Sequence, residues 1–208
     1  MRVLAGALLC LVPLAAAGQT LEEFLKALER GDSKVVAAYL DRGLDPNSTN
    51  QAGQSALMLA ARSGHRGLVA LLIERRASVN QRSPHGDTAL MLASLAGHLE
   101  VARLLVDKGA HVSHEGWTPL HYAAFEGRAE LVRFLIDRGA EKNAVAPNGY
   151  SALMLAARGG HGEAARALLH EDVDVGVRGP NGETALRLAA QRGDTALVEL
   201  LKRAGAVE

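Results

Sequence analysis

Residues 116–124 read Gly116-Trp117-Thr118-Pro119-Leu120-His121-Tyr122-Ala123-Ala124, and Arg138-Gly139-Ala140 close the segment that follows. Thr118 places a side-chain oxygen where it can accept from the free amides that open a helix. Pro119 takes the first helical position, where its missing N–H costs nothing. Leu120 and the small pair Ala123-Ala124 come next, and Gly127 can adopt the left-handed conformation that ends a helix. Beyond it, Leu131, Val132, Phe134, Leu135 and Ile136 fall on one face of a second helix. The stretch predicts two short helices joined by a tight turn.

The same pattern recurs along the chain. Aligned on the opening glycine, Gly53, Gly86, Gly116, Gly149 and Gly182 are separated by 33, 30, 33 and 33 residues. Each is followed, after one residue, by a capping Ser55, Thr88, Thr118, Ser151 or Thr184, then by a small pair: Ala60-Ala61, Ala93-Ser94, Ala123-Ala124, Ala156-Ala157 or Ala189-Ala190. A second glycine closes each first helix at Gly64, Gly97, Gly127, Gly160 and Gly193. The second-helix face repeats as Leu68, Val69, Leu71, Leu72, Ile73 and as Val101, Ala102, Leu104, Leu105, Val106. One such block cannot bury its own apolar face, whereas a stack of them can. The small pairs let neighbouring backbones approach, and an aromatic content of only 3% agrees with a core of Leu, Val and Ala at close helix contacts.

The G-x-T-P-L-H-x-A-A wording of residues 116–124 and the Gly139-Ala140 pair resemble the ankyrin repeat, and five units carry the pattern. Residues 20–52 fit as a degenerate first unit, through Gly31, the Val35 to Leu40 helix and Arg42-Gly43. The resemblance implies an all-α solenoid of stacked helix-turn-helix units with projecting hairpin loops. It spans residues 19–208, in units at 20–52, 53–85, 86–115, 116–148, 149–181 and 182–208. Departures from the family pattern carry their own expectations. The histidine of the motif is kept only as His121; Met58, Met91, Met154 and Arg187 replace it, so its local hydrogen bonds are expected to be missing there and those units to rely on packing. Arg76 and Asp172 stand where the second helix normally ends in glycine, so a residue with a Cβ there either takes the left-handed conformation at a cost or changes the turn, which predicts local irregularity. The third unit is three residues short between Val112 and Gly116, truncating its hairpin. Lys202 replaces an apolar residue of earlier units, and Glu22 and Glu23 open the first helix, as expected of ends that face water.

The N-terminal residues read differently. Arg2, an apolar run from Val3 to Leu14 and the small residues Ala15, Ala16 and Ala17 match a secretory signal peptide over residues 1–18, cleaved near Ala17 or Gly18. About 12 apolar residues fall short of the ~20 that span a bilayer, and Ala7, Leu8 and Leu9 lack the small residue that a lipoprotein signal sets next to its cysteine. Cys10 is the only cysteine, so the mature chain would have no disulfide, thiolate metal site or cysteine nucleophile. Lys plus Arg and Asp plus Glu number 23 each, so the totals favour neither nucleic acid nor an anionic membrane.

Sites of chemistry were sought with little return. Gly160-His161-Gly162-Glu163-Ala164-Ala165 matches G-x-G-x-x-A, but it falls at a helix-helix turn rather than after a strand. His111 and His114, with His85 on the preceding loop, could offer nitrogen ligands for a metal-dependent enzyme, yet His65, His98 and His161 are turn residues and His121 belongs to the repeat motif. No G-x-S-x-G elbow occurs, and Asn47-Ser48-Thr49 is too short a glycosylation pattern to use. No metal, cofactor or catalytic residue is expected.

The resemblance instead implies a binding module, its partner another protein met by the hairpin tips and the exposed face of the first helix. Carried over residue by residue, this selects Gln54, Asp87, Trp117, Tyr150 and Glu183 on the tips, and Arg62, Ser63, Leu95, Ala96, Phe125, Glu126, Arg158, Gln191 and Arg192 on the helices. Trp117, Phe125 and Tyr150 form the expected centre, flanked by Arg62, Leu95, Glu126 and Arg158, because aromatic and Arg side chains dominate binding hot spots. The chain is expected to be a monomer without nucleic-acid or membrane partners, exported, and periplasmic in a bacterium. Secretion as a host-directed effector is the alternative that keeps the same fold.

Overall fold

The computed structural model describes residues 14–169 and 172–207, so most of the expected leader lies outside the described residues. Twelve helices follow one another there: α1 (Leu14–Arg30), α2 (Ser33–Asp41), α3 (Ala56–Arg62), α4 (Arg66–Glu74), α5 (Ala89–Ala96), α6 (Leu99–Asp107), α7 (Pro119–Phe125), α8 (Ala129–Asp137), α9 (Ala152–Gly159), α10 (Gly162–Leu168), α11 (Ala185–Gln191) and α12 (Thr195–Arg203). The helices form pairs, and the first helix of each pair packs on the first helix of the next, from α1 on α3 through to α9 on α11. The second helices form a parallel outer row. Among the described residues there is no β-strand, only isolated antiparallel bridges at the hairpins, Thr49 to Ser55 and Val145 to Ser151.

Each inner helix starts as its capping residue dictates. The side-chain oxygens of Ser55, Thr88, Thr118, Ser151 and Thr184 all accept the backbone N–H three residues on, at 3.3 Å. Behind these caps lies one continuous core. Ala60, Ala61, Ala93, Ser94, Ala123, Ala124, Ala156 and Ala157 are completely buried, as are Leu72, Leu105 and Leu135 of the outer row. The last unit shows what buries these positions. Ala190 and Arg187, counterparts of buried Ala157 and Met154, are exposed, with no further pair over them among the described residues. Arg187 and Lys202 thus leave polar groups at the open end, as Glu22 and Glu23 do at the other, where all four are exposed.

The turn histidines tie one pair to the one before. The Nε2 atoms of His65, His98 and His161 each lie 3.0 to 3.1 Å from the carbonyl oxygens of Glu29, Arg62 and Phe125 in the preceding pair. Arg128 and Arg192 occupy the same position and donate to Leu95 and Arg158. The glycine at the end of each inner helix from α1 to α9 is therefore required twice over. Gly64 has φ of 76°, and a Cβ there would sit 2.6 Å from the His98 ring. A second ladder runs through the hairpins: the side-chain carbonyls of Asn47, Asn80 and Asn143 accept the N–H of Ser78, His111 and Asp174 in the following unit. In the shortened third hairpin Ser113 takes over, accepting from Glu141 N–H at 2.9 Å.

One expectation needs correction. Loss of the motif histidine does not leave every cap to packing: the Met58 sulfur accepts the Ser55 N–H at 3.4 Å, a weak thioether substitute inside a buried turn. Of the two alternatives at Arg76 and Asp172, both residues take the left-handed backbone, at φ of 70° and 69°. The outer helix before Asp172, α10, does end early, at Leu168. Arg76→Gly is expected to stabilise the chain by about 1 kcal/mol, since a Cβ disfavours that conformation, raising Tm by roughly 2–4 °C for a protein of this size. Asp172→Gly should gain less, because Asp tolerates left-handed backbone better than Arg. Differential scanning calorimetry of both variants checks the order.

His121 is the one buried histidine of the motif. Its Nδ1 accepts the Thr118 backbone N–H at 3.1 Å and meets the Thr118 hydroxyl at 2.9 Å, while Nε2–H donates to the Ala144 carbonyl at 3.0 Å. That arrangement requires the neutral ring. Burial is the largest cause holding its pKa below the ordinary value; the hydrogen bond to Ala144 opposes it, and nearby His114 adds to it. With the folded pKa depressed, the unfolded chain binds the proton more readily, so stability is lost as pH falls below the unfolded value of about 6.5. His121→Met, which copies the residue of three other units, is expected to flatten that acid limb in urea titrations between about pH 7 and 5.

Candidate partner-binding face

The inner helices carry an equivalent row of side chains at their C-terminal ends: Arg62, Leu95, Phe125, Arg158 and Gln191, brought side by side because α3, α5, α7, α9 and α11 pack in succession. Along this row Phe125 is half exposed, at 50%, an unusual position for a phenyl ring. Leu95 beside it is half-buried, Arg62 and Arg158 are exposed, and exposed Glu126 lies 3.9 Å from Arg128. The hairpin residues Gln54, Asp87, Trp117, Tyr150 and Glu183 run alongside as a second row.

Contacts join the two rows in some units. Arg62 Nη1 donates to Gln54 Oε1 at 3.3 Å, and Arg158 lies over the Tyr150 ring, 5.6 Å from its centroid. Tyr122 on α7 reaches back to the preceding hairpin, its hydroxyl donating to Asp87 Oδ1 at 2.6 Å. Burial and the Asp87 carboxylate together push that phenol well above its ordinary pKa. Tyr150 reaches forward instead, donating to Glu183 Oε1 at 2.5 Å. This bond raises the Tyr150 pKa and, with backbone N–H donors, lowers that of Glu183. Both phenols stay neutral donors at ordinary pH and bridge adjacent units.

The residues picked from the sequence therefore divide. Phe125, Arg62 and Arg158 are exposed and face outward. Trp117 is half-buried and packs edge-on against His121 at 5.9 Å and Tyr122 at 5.8 Å, so its ring covers the first helix of its own unit, α7. Tyr150 is likewise half-buried, and Glu183, expected on the outer tip, is buried to 7% exposure under the Tyr150 bond. Tyr122 was not picked out by its sequence position, which is leucine in the neighbouring units; the signal was an aromatic standing in for that leucine with an acid one hairpin back.

The histidines do not assemble. Among the described residues no three His, Cys, Asp or Glu side chains come together as a metal site would need. His114 Nδ1 lies 2.9 Å from its neighbour's carbonyl, at Glu115, and His111 is exposed. Gly160-His161-Gly162 forms the α9–α10 turn, with Gly160 left-handed and His161 engaged with Phe125. Among the described residues no helix is long and apolar enough to cross a membrane.

Comparison with known proteins agrees with this architecture. The family described as ankyrin repeats (3 copies) matches residues 24–115, 82–146, 111–179 and 141–207, overlapping segments that together run through nearly all the described chain. No curated protein matches the chain. Ankyrin repeats are generally protein–protein interaction modules and typically non-catalytic. With helix pairs stacked in register and family matches from residue 24 to residue 207, the chain belongs to the ankyrin-repeat family.

Proposed function

We propose that this chain is an exported, monomeric binding protein without enzymatic activity of its own, which captures another protein on the face formed by the inner-helix row and the hairpin tips. The observation that carries the reading is Phe125, half exposed at the middle of a row whose neighbours are Leu95 and Arg158. An exposed phenyl ring flanked by aliphatic and guanidinium side chains is the kind of anchor that dominates binding energy once a partner desolvates it. Trp117, Tyr150, Arg62 and Glu126 extend the face around it.

Export rests on the sequence of residues 1–18, and a periplasmic home on the shortness of that leader. Cleavage near Ala17 or Gly18 falls within α1, upstream of the first buried side chains Phe24, Ala27 and Leu28, so the core contacts of that helix survive it. The mature domain is then residues 19–208.

Phe125→Ala is expected to weaken capture of the native partner at least about tenfold, as for a hot-spot ring, with an unchanged helical CD spectrum. Trp117→Ala is a less clean probe, because it also strips cover from His121 and Tyr122. Capture should be run from the native envelope fraction, where the chain itself is expected to begin at Gly18 or Gln19 by mass. Undiminished capture by Phe125→Ala removes the proposed centre, and a chain retaining Met1 removes the export reading.

A further inference from the structure

We infer that the groove between the fifth and sixth helix pairs is a seat for a carboxylate side chain of the bound protein, gripped by Arg158, Arg187 and Arg192. The inference rests on the protein-binding reading and states which chemistry that face selects.

The groove has a volume of about 360 Å³ and is lined by these three arginines together with Tyr150, Asn181 and Glu183 among others. Among the described residues none of the three guanidinium groups makes an ion pair. The single acid in the groove is already engaged: Glu183 accepts the Tyr150 hydroxyl at 2.5 Å and the Asn181 N–H at 2.9 Å. The lining therefore carries three formal positive charges against one buried negative charge, 3 − 1 = +2.

Two of the arginines are held without being neutralised. Arg158 rests over the Tyr150 ring, and Arg192 Nη1 donates to the Arg158 carbonyl at 3.1 Å. Such tethering lowers the entropy lost when a ligand binds. Arg187 is exposed. It occupies the position that the following pair covers in earlier units, and among the described residues no helix pair covers it. Guanidinium groups pair with carboxylates through two parallel hydrogen bonds, which gives a geometric preference as well as attraction.

The rest of the face sharpens the contrast. Of its other acids, Asp87 accepts the Tyr122 hydroxyl, and Glu126 lies 3.9 Å from Arg128 rather than at the groove. A chain with 23 basic and 23 acidic residues thus presents unbalanced positive charge at one groove. A nucleic acid would need a continuous basic track to neutralise successive phosphates. The row toward Arg62 is instead interrupted by Leu95 and Phe125. The pattern fits a discrete acidic anchor next to an apolar one.

The test titrates the whole mature chain with an octaglutamate peptide and an octaglutamine peptide at low ionic strength, following backbone and Arg Nε–H resonances by NMR. Octaglutamate is expected to shift Arg158, Arg187, Arg192 and Tyr150, and octaglutamine to shift none of them. The double variant Arg158→Gln/Arg187→Gln should lose at least about tenfold in octaglutamate affinity, the range in which close charge pairs act across interfaces, while Arg62→Gln loses less than about twofold. Equal response to octaglutamine, equal loss in Arg62→Gln, or tighter binding of a single-stranded oligonucleotide overturns the inference. Failure here with partner capture still dependent on Phe125 discards the groove alone; an intact octaglutamate response with capture indifferent to Phe125 discards the centre proposed above and leaves the groove standing.

Discussion

The structure depends on each helix pair being covered by its neighbour. The second residue of each small pair is buried at Ala61, Ser94, Ala124 and Ala157 and exposed at Ala190, over which no further described pair lies. The glycines tell the same story: a Cβ on Gly64, Gly97, Gly127 or Gly160 would meet a His or Arg of the next pair, whereas Gly193 has open space around it. Burial at these positions is thus set by the neighbour rather than by the residue. The magnitudes show which contact matters most. A turn hydrogen bond such as His98 to Arg62 contributes about 1 kcal/mol net, while burying each Leu or Met between pairs contributes ~1.5–3 kcal/mol. Packing supplies the stability, and the histidine and asparagine ladders set the register.

That division of labour leaves the other side of the inner helices free to vary. The C-terminal ends of α3, α5, α7 and α9 take part in the stack through their backbone carbonyls, since Arg62, Leu95, Phe125 and Arg158 each accept a bond from the next pair through main chain alone. Their side chains contribute little to holding the fold, so they can carry recognition. A phenyl ring and unpaired guanidinium groups at such positions are therefore better explained by a partner than by stability.

Much of this was legible from residues alone. The glycine period and the Ser and Thr caps gave the helix pairs, because both act within a few residues of where they stand. Left-handed backbone at Arg76 and Asp172 was also flagged, as positions where glycine is missing. What could not be read was whatever depends on contacts about 30 residues apart. The turn histidines looked like simple turn residues, yet each bonds to the preceding pair. Glu183 looked exposed until the Tyr150 hydroxyl was seen to reach it, and Trp117 packs on His121 and Tyr122 of its own helix α7. The totals suggested no electrostatic preference, because a sum over the chain hides acids consumed inside the fold beside arginines left open.

The claim that a unit is stable only through its neighbours is tested most directly by circular dichroism of the isolated fourth unit, residues 116–148, which holds the best-formed motif. The account predicts a disordered spectrum with no cooperative thermal transition, because Leu120, Ala123, Ala124 and Leu135 would all lose their cover. A helical peptide that melts cooperatively on its own would contradict it.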